Sequence, residues 1–355
     1  MKKEYIIPIF VPHLGCKNDC SFCNQKSISG QIKEVTPKDV KDTIDMYLSN
    51  FKDKENYVEV AFFGGSFTGI PKEKQIELLE AVQPYIKRKK VNSIRCSTRP
   101  DYISKDILKM LKKYHVKTIE LGVQSSNDYI LSKVKRGHTF EDVKKASKLI
   151  RKYRFTLGHQ MMVGLPESTL LDELNTAKDL AKLKPKIVRI YPVLVIKGTA
   201  LLEDYKNGEY EPLEVNQAVS RCKELCYFFD KKKITVIRIG LQSTDTISDP
   251  NKNVASEVVA GPYHESFRQL VDTEMMYDVI SEKIKSYENK VKEVEIIANP
   301  QDVNNIVGYK RSNIEKIKEV YDVDIKVIQS NKMKKGRIKT KVAKRYKDFL
   351  DDDKK

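Results

Sequence analysis

Long apolar segments are missing from this sequence. No stretch of its 355 residues approaches the roughly 18 consecutive apolar residues of a membrane-spanning helix, so no transmembrane helix is expected. The first residues, MKKEYIIPIFVPH, have neither a long apolar run nor a small-residue cleavage site, and they predict a first β-strand rather than a signal peptide. A secreted, disulfide-stapled protein is therefore not expected, and we predict a cytoplasmic location. The six cysteines need another explanation.

The sequence has fewer acidic residues than basic ones. The chain has 66 lysines and arginines against 49 aspartates and glutamates, which gives a formal charge of +17 and a pI near 9.3. The hydrophobic fraction of 40% is too high for a disordered chain. The positive charge suggests a nucleic-acid partner, but a lysine-rich proteome would produce the same excess.

The first half of the chain alternates strand-like and helix-like patterns. Apolar strand-like runs begin at Tyr5, Tyr57, Ser93, Thr118, Phe155 and Ile187. Helix starts are predicted at Thr36-Pro37, Pro71, Ser104 and Thr139, and a further helix is predicted from about Leu170 to Leu183. Six β–α units imply parallel strands covered by helices. We therefore predict an α/β fold, a partial (β/α)6 barrel with its chemistry at the carboxyl ends of the strands.

The remainder of the chain predicts two further regions. Residues 1–190 form the predicted barrel, and residues 191–276 form an extension with a helix near Val215–Lys231 and the strand-like run ITVIRIGL. Residues 277–355 are basic and form a predicted small α+β domain.

Three cysteines lie close together after the first predicted strand. Cys16, Cys20 and Cys23 form a C-x3-C-x2-C pattern, and thiolates at such spacing suit three irons of a [4Fe–4S] cluster. A structural zinc site is the alternative, but it needs four ligands, and His13 is the only close substitute for a fourth cysteine. An odd number of thiolates favours a cluster with one iron left open.

This cysteine pattern after the first strand of a β/α chain resembles the radical S-adenosylmethionine (SAM) superfamily. The resemblance implies that the open iron binds the methionine moiety of SAM and that one-electron cleavage yields a 5′-deoxyadenosyl radical, which abstracts a hydrogen atom. It also implies an electron donor such as flavodoxin or ferredoxin. The cofactor carries the difficult chemistry, and the protein binds and orients it.

Further residues match the superfamily's SAM-binding positions, and they lie where a partial barrel would place its ligand. Phe22 corresponds to an aromatic residue that flanks the adenine, and Gly64 and Gly65 correspond to a turn that meets the amino group. In isolation, a Gly-Gly pair after a strand would indicate only a turn. The positions that the resemblance assigns to SAM binding are Phe22, Gly64, Gly65, Ser66, Ser97, Arg99, Gln124, Met162 and Gly164.

Longer motifs resemble the radical SAM domain of the Elongator catalytic subunit and its bacterial relatives over about residues 4–275. They are ELGVQS, RGHT (from Arg136), IYPVLVIKGT (from Ile190) and AGPYHESFRQLV (from Ala260). The chain departs from that family in two ways. The Elongator subunit spaces its first two cysteines more widely and carries an acetyltransferase domain, for which no matching segment is present.

Catalytic candidates come from residues within these motifs. His138, Tyr191, Lys197 and His264 are candidates for contact with substrate, each with a structural role as an equally good interpretation. Cys222 and Cys226 would share a helix face, where they would be a second metal site, radical-methylase-type thiols or, as we favour, buried packing residues.

The basic C-terminal segment contains a pattern of its own. The order strand, helix, loop, helix, strand around Ile306–Ile317 resembles the KH module, whose GxxG loop clamps single-stranded RNA. Here Gly308 matches the first glycine and Arg311 replaces the second. A solvated lysine-rich face is the alternative. The predicted RNA-binding residues are Gly308, Tyr309, Lys310, Arg311, Lys316, Lys334, Lys335 and Arg337.

Together these features predict a radical SAM enzyme that modifies a nucleotide in structured RNA, either tRNA or rRNA. One alternative keeps the radical chemistry but directs it at a protein or a small molecule, with the C-terminal region as an interaction module. Another is a non-catalytic RNA-binding protein with a structural cluster. No membrane partner is expected.

Overall fold

A computed structural model describes residues 4–11, 20–24, 34–51, 56–287 and 291–345. The chain forms two compact units, residues 1–265 and 266–355. Our expected boundary at 276/277 falls inside a helix of the second unit, Phe267–Lys285, because Met276, Ile280 and Ile284 pack into that unit's own core.

The first unit is built on a seven-stranded parallel sheet. Its strands, in spatial order, are β1 (Glu4–Val11), β2 (Tyr57–Gly64), β3 (Ser93–Thr98), β4 (Val116–Gln124), β5 (Thr156–Val163), β6 (Ile187–Pro192) and β8 (Thr235–Ile239). The α/β partial-barrel class is therefore confirmed, as are the six predicted strands. The run ITVIRIGL was expected in an extension. It is instead the seventh strand, because Thr235 to Ile239 pair in parallel with β6.

Helices connect and cover these strands. They are α1 (Pro37–Asn50), α2 (Lys72–Lys87), α3 (Lys105–Lys113), α4 (Asp128–Lys133), α5 (Phe140–Lys152), α6 (Leu170–Lys182), α7 (Ala200–Lys206) and α8 (Val215–Lys231). The predicted starts at Thr36, Ser104 and Thr139 are confirmed, since each side chain accepts a hydrogen bond from a backbone N–H in the first turn of its helix.

Two short strands, β7 (Val195–Ile196) and β9 (Val258–Ala260), form an antiparallel pair beside the main sheet. Leu194, Ile196, Ile247 and Val258 form a small buried cluster there. This local core accounts for the less regular sequence pattern after β6.

The second unit packs helices on a three-stranded sheet. In chain order it contains α9 (Phe267–Lys285), β10 (Val291–Ala298), α10 (Val303–Val307), α11 (Ser312–Tyr321), β11 (Asp324–Gln329) and β12 (Ile338–Arg345). Strand β10 is central, parallel to β11 and antiparallel to β12. The predicted order strand, helix, loop, helix, strand is present. The basic run after it also contains an edge strand, β12, because Ile338 and Val342 pack against the unit's core while the lysines between them face solvent.

Candidate active site

A cavity of about 420 Å³ opens at the carboxyl ends of the parallel strands. This is where parallel α/β barrels place their ligands. The predicted site residues that line it are Phe22, Cys23, Gly64, Ser97, Gln124, Met162 and Tyr191. The fold therefore brings together residues that are up to 169 positions apart in the sequence.

One cysteine of the motif, Cys23, lines this cavity. Cys16 and His13 lie outside the described residues. Cys20 is buried and Cys23 is half-buried, and the Cys23 amide donates to the Cys20 carbonyl over 3.0 Å. The Arg136 guanidinium donates from Nη1 to Cys20 Sγ over 3.3 Å. This hydrogen bond places a positive charge beside the Cys20 sulfur. The two described thiols are thus suited to cluster ligation.

Gly64 is the last residue of β2 and pairs with Val11 at the end of β1. Its φ is +99°, and a β-carbon at this position would lie 2.5 Å from the Val11 carbonyl oxygen. The next amide, that of Gly65, donates to the same oxygen over 3.1 Å. A side chain would force the backbone of β1 away from this turn. Because Gly64 has no side chain, the two strand ends stay close together and backbone atoms form the cavity wall here.

Gln124 ends β4 in a strained conformation. Its φ is +74°, which a residue with a β-carbon rarely adopts, and the pairing of β4 with β5 slips between Gly122 and Gln124. Its side chain is buried, and Oε1 has no hydrogen-bond partner within the described part of the chain. Such strain with an unsatisfied buried acceptor is typical of a ligand contact.

Other predicted SAM contacts occupy different positions. Gly65, Ser66, Arg99 and Gly164 are not among the described residues that line the cavity. Ser66 Oγ accepts from the Arg99 amide over 2.9 Å. The Arg99 side chain pairs with Asp101 at 2.9 Å and donates to the Arg136 carbonyl at 2.7 Å. Arg99 therefore braces the segment that carries Arg136.

The four catalytic candidates also divide into residues that line the cavity and residues that do not. Tyr191 lines the cavity, whereas His138, Lys197 and His264 are not among its described lining residues. Burial, together with the nearby Arg136 and Arg99, lowers the pKa of His138 to about 3, so its ring is neutral at physiological pH. Lys197 donates to the Ser256 carbonyl over 3.0 Å, and His264 is half-buried. Burial raises the pKa of Tyr191 above its usual range.

Inside the barrel lies a layer of charged side chains that is not among the sequence-predicted site residues. Glu120, which is 1% exposed, accepts from Arg95 at 2.8 Å and from both Nε and Nη2 of Arg189. Glu59 accepts from Arg95 at 2.7 Å. Gln160 donates to Glu120 and to Ser97, each over 3.1 Å. The network positions Ser97 and joins strands β2 to β6 across the barrel.

A signal for this layer was present in the sequence. Arg95 precedes Ser97 by two residues, Gln160 precedes Met162 by two, and Arg189 precedes Tyr191 by two. Side chains two apart in a strand point to the same face. A charged or amide side chain two residues before a predicted site residue therefore indicates an inward-facing polar position.

The three cysteines outside the motif pack inside the first unit. Cys96, Cys222 and Cys226 are all buried, and burial raises the pKa of Cys96 and Cys222 far above the usual range for a thiol. A thiol that stays protonated is a poor metal ligand. This agrees with the packing role that we favoured for Cys222 and Cys226.

In the second unit, the loop between α10 and α11 has an unusual backbone. Gly308 has a φ of +82°, and Lys310 and Arg311 have φ values of +49° and +67°. A β-carbon on Gly308 would lie 2.5 Å from Ser312 Oγ and 2.7 Å from the Asn313 amide nitrogen. Tyr309 is 43% exposed, and the ammonium group of Lys310 lies 5.6 Å from its ring centre. The loop thus presents an aromatic ring and two cations to solvent.

A second basic element is tied to the start of the same helix pair. The Gly336 amide donates to the buried Asp302 carboxylate over 2.7 Å, and Asn299 Nδ2 donates to the Met333 carbonyl over 2.8 Å. These bonds hold the turn that carries the exposed Lys334, Lys335 and Arg337. Lys316 lies on α11, where it pairs with Glu274 and stacks 4.0 Å from the ring centre of Tyr277.

The parallel half-barrel, with its cysteine motif and its cavity at the strand ends, defines the class of iron–sulfur enzymes that use SAM. Residues 10–180 match the model of the radical SAM superfamily, and residues 185–277 match that of the radical SAM C-terminal domain. The chain belongs to the radical SAM superfamily, whose enzymes use a [4Fe–4S] cluster and SAM.

Archaeal proteins are among the similar chains. An uncharacterised protein of Methanocaldococcus jannaschii is 34% identical over 62% of this chain and 70% of its own length. A tRNA uridine(34) acetyltransferase of the same organism is 38% identical over 34% of this chain but only 23% of its own length. The structure of Elp3 from Methanocaldococcus infernus shares the fold, with a TM-score of 0.59 and 22% identity over 80% of this chain and 64% of that one.

Within the described ranges, no helix combines the length and the apolar character needed to cross a bilayer.

Proposed function

We propose that this protein is a radical SAM enzyme that modifies a nucleotide of tRNA or rRNA, with the second unit binding the RNA. One observation carries the proposal. A chain of the radical SAM superfamily continues into a compact unit that displays a positive-φ loop with an exposed tyrosine and two cations. Such a loop suits binding of the backbone of single-stranded RNA. An enzyme acting on a protein or a small molecule would not need an RNA-binding loop.

In this proposal, Cys16, Cys20 and Cys23 hold the cluster. When bound, the cluster and SAM supply one-electron cleavage chemistry. The residues that would contact SAM are the sequence-predicted positions that line the cavity, namely Phe22, Gly64, Ser97, Gln124 and Met162. Gln124 offers its unpartnered buried oxygen to the ligand, and Gly64 lets the backbone approach it closely. The buried Phe22 excludes water from this end of the cavity.

The second unit supports RNA binding by its topology. Strands β10 and β11 are adjacent and parallel, and the helix pair with its intervening loop connects them. This arrangement agrees with a KH-like module in which Gly308 allows close approach of the RNA backbone. Arg311, at the second glycine position, has a left-handed conformation of the kind that glycine usually provides, and adds a cation for phosphate.

The basic turn lies close enough to extend the same surface. Asp302, which anchors the turn, and Gly308 flank the short helix α10. At the α-helical rise of 1.5 Å per residue, they are separated by roughly 9 Å along its axis. The basic turn would therefore reach phosphates next to those that the loop contacts, through Lys334, Lys335 and Arg337. Counterion release from these phosphates would make the affinity for RNA depend on salt.

The relatives favour tRNA over rRNA as the substrate. Relatives from Methanocaldococcus jannaschii and Dehalococcoides mccartyi are named as acetyltransferases acting on uridine 34 of tRNA. Because the match spans about a quarter of those relatives, we extend only the RNA class to this chain and leave the group transferred undefined.

The test compares modified nucleosides by mass spectrometry in tRNA and rRNA from cells that have or lack this gene. We expect one modified nucleoside to disappear without the gene and to return with the wild-type gene, but not with the Lys310→Gln/Arg311→Gln variant. Unchanged nucleoside profiles in both RNA classes would contradict the proposal and favour a protein or small-molecule substrate.

A binding measurement with purified protein tests the loop directly. Two lost contacts to single-stranded phosphates should reduce the slope of log affinity against log salt by about 1.4. Lys283→Gln/Lys285→Gln removes the same charge from exposed positions on α9 and should leave the slope unchanged. Equal slopes for the two double variants would show that charge alone, rather than the loop, binds RNA.

A further inference from the structure

Two arginines line the cavity on the strands β6 and β8. Arg189 and Arg238 are register partners in the parallel pairing of these strands, and both border the cavity together with Tyr191 and Gln242. We call these four residues the arginine wall. The proposed SAM contacts come from the cysteine loop and strands β2 to β5, so the wall belongs to a different part of the sheet.

The charged side chains at the arginine wall and in the network next to it carry a net positive charge. Glu59 and Glu120 neutralise Arg95 and Arg189, and Arg189 binds Glu120 through two nitrogens. Arg238 lies beyond this network. In the described ranges it forms no ion pair, and its hydrogen bond to Gln242 Oε1 is long, at 3.4 Å. One positive charge is therefore left over on the cavity surface.

The leftover charge lies in an unfavourable place for the empty protein. Arg238 is half-buried, and burial together with the like charge of Arg189 lowers its pKa, although a guanidinium stays protonated throughout the physiological range. A neutral side chain of similar size would avoid this cost. Apolar residues on the same cavity surface, including Ile237, Leu241 and Phe63, further reduce the access of water.

We propose that the arginine wall binds an oxyanionic group, a carboxylate or a phosphate, of the substrate on which the radical acts. Planar guanidinium groups match both oxyanions by paired N–H donors. Tyr191, the one catalytic candidate that borders the cavity, would add a hydroxyl donor to the same group. This inference rests on the proposed function for its radical chemistry, but it concerns binding, which is measured separately.

The experiment measures thermal unfolding of the cluster-reconstituted protein with added oxyanions. The probes are inorganic phosphate, acetate and the four ribonucleoside 5′-monophosphates, each compared with sodium chloride at equal ionic strength. We expect at least one oxyanion to raise the Tm of the wild type in a concentration-dependent way, because a ligand that binds only the folded state stabilises it. Arg238→Gln should abolish that response.

The same variant distinguishes a binding role from a structural one. In chloride alone, Arg238→Gln should unfold at the wild-type temperature or above it, because it removes an unneutralised charge. A purely structural arginine would lower Tm in every buffer when replaced. Arg151→Gln, an equivalent change at an exposed position on α5, should keep the full oxyanion response. A retained response in Arg238→Gln, or its equal loss in Arg151→Gln, would overturn the proposal.

Two further comparisons identify the source of the oxyanion. A response to nucleotides but not to the matching nucleosides or to acetate assigns the wall to a nucleotide phosphate, and a response to acetate alone assigns it to a carboxylate. If saturating SAM abolishes every response, the wall binds the carboxylate of SAM itself and the substrate assignment is wrong. Failure of the RNA proposal would appear instead as unchanged nucleoside profiles, whatever the result here.

Discussion

Replacing Glu120 with glutamine is expected to destabilise the barrel strongly. This carboxylate is 1% exposed and is shared by Arg95 and Arg189, with a further hydrogen bond from Gln160. Glutamine keeps the volume but removes the charge, which leaves two buried guanidinium groups without their common anion. Breaking a buried ion pair in this way costs about 3–5 kcal/mol. That is a large share of the roughly 5–15 kcal/mol that stabilises a typical protein.

The same group makes stability depend on pH. Burial by itself would raise the pKa of Glu120, but Arg189 and then Arg95 hold it below its ordinary value. For a carboxylate whose pKa is lowered by folding, the stabilisation is complete above the unfolded pKa of about 4.3 and is lost as the pH falls through the folded value. Below about pH 4, the wild type should therefore lose the part of its stability that comes from ionised Glu120. Glu120→Gln has no such carboxylate and should not show this part of the loss.

Urea unfolding at neutral pH, followed by circular dichroism, measures how much Glu120→Gln lowers the free energy of unfolding. The same measurement repeated at lower pH follows the loss of stability in the wild type. Hydrogen exchange of peptides from β4 assigns the transition to the first unit. The matched control is Glu203→Gln, which breaks the exposed pair with Lys206 and should cost at most about 0.5 kcal/mol. If Glu120→Gln and Glu203→Gln unfold at the same urea concentration, the buried network does not stabilise the barrel as argued.

Two further predictions concern the cavity. Cys20→Ser/Cys23→Ser should lose iron and visible absorption after anaerobic reconstitution, whereas Cys222→Ala should retain both, and equal iron content would contradict the assignment of the motif. Gly64→Ala should weaken SAM binding and lower Tm more than Gly208→Ala, because both have a positive φ but only Gly64 has a carbonyl oxygen 2.5 Å from the new β-carbon. The φ penalty alone is about 1–2 kcal/mol, and equal effects would show that the close approach is unimportant.

Much of the candidate site could be predicted because its signals are local. The cysteine spacing, the glycines after β2 and the residues that end strands β3 to β5 are read from short segments. The structure brings Phe22, Gly64, Ser97, Gln124 and Met162 to one cavity. The predictions for Arg99 and His138 do not share that geometry, because the direction of a side chain at a strand end depends on neighbours that are distant in sequence.

The polar layer inside the barrel was not predicted for a related reason. Arg95, Glu120 and Arg189 belong to three different strands, and each looks alone like an unfavourable charge in an apolar run. Only the strand register places the two arginines around one carboxylate. The sequence shows which face each residue occupies, but not which opposite charge it meets.

By itself, the sequence determined the six alternating strands and helices, the capped helix starts, the cysteine motif and the order of elements in the basic unit. These depend on hydrophobic period and on the chemistry of caps and turns, which act over a few residues. Tertiary structure alone decided that the run from Thr235 joins the sheet as a seventh strand and that the lysine-rich tail forms an edge strand. It also decided that Arg238 lacks a counter-charge. Those outcomes depend on pairing between distant segments, where burial and register determine which charges are neutralised.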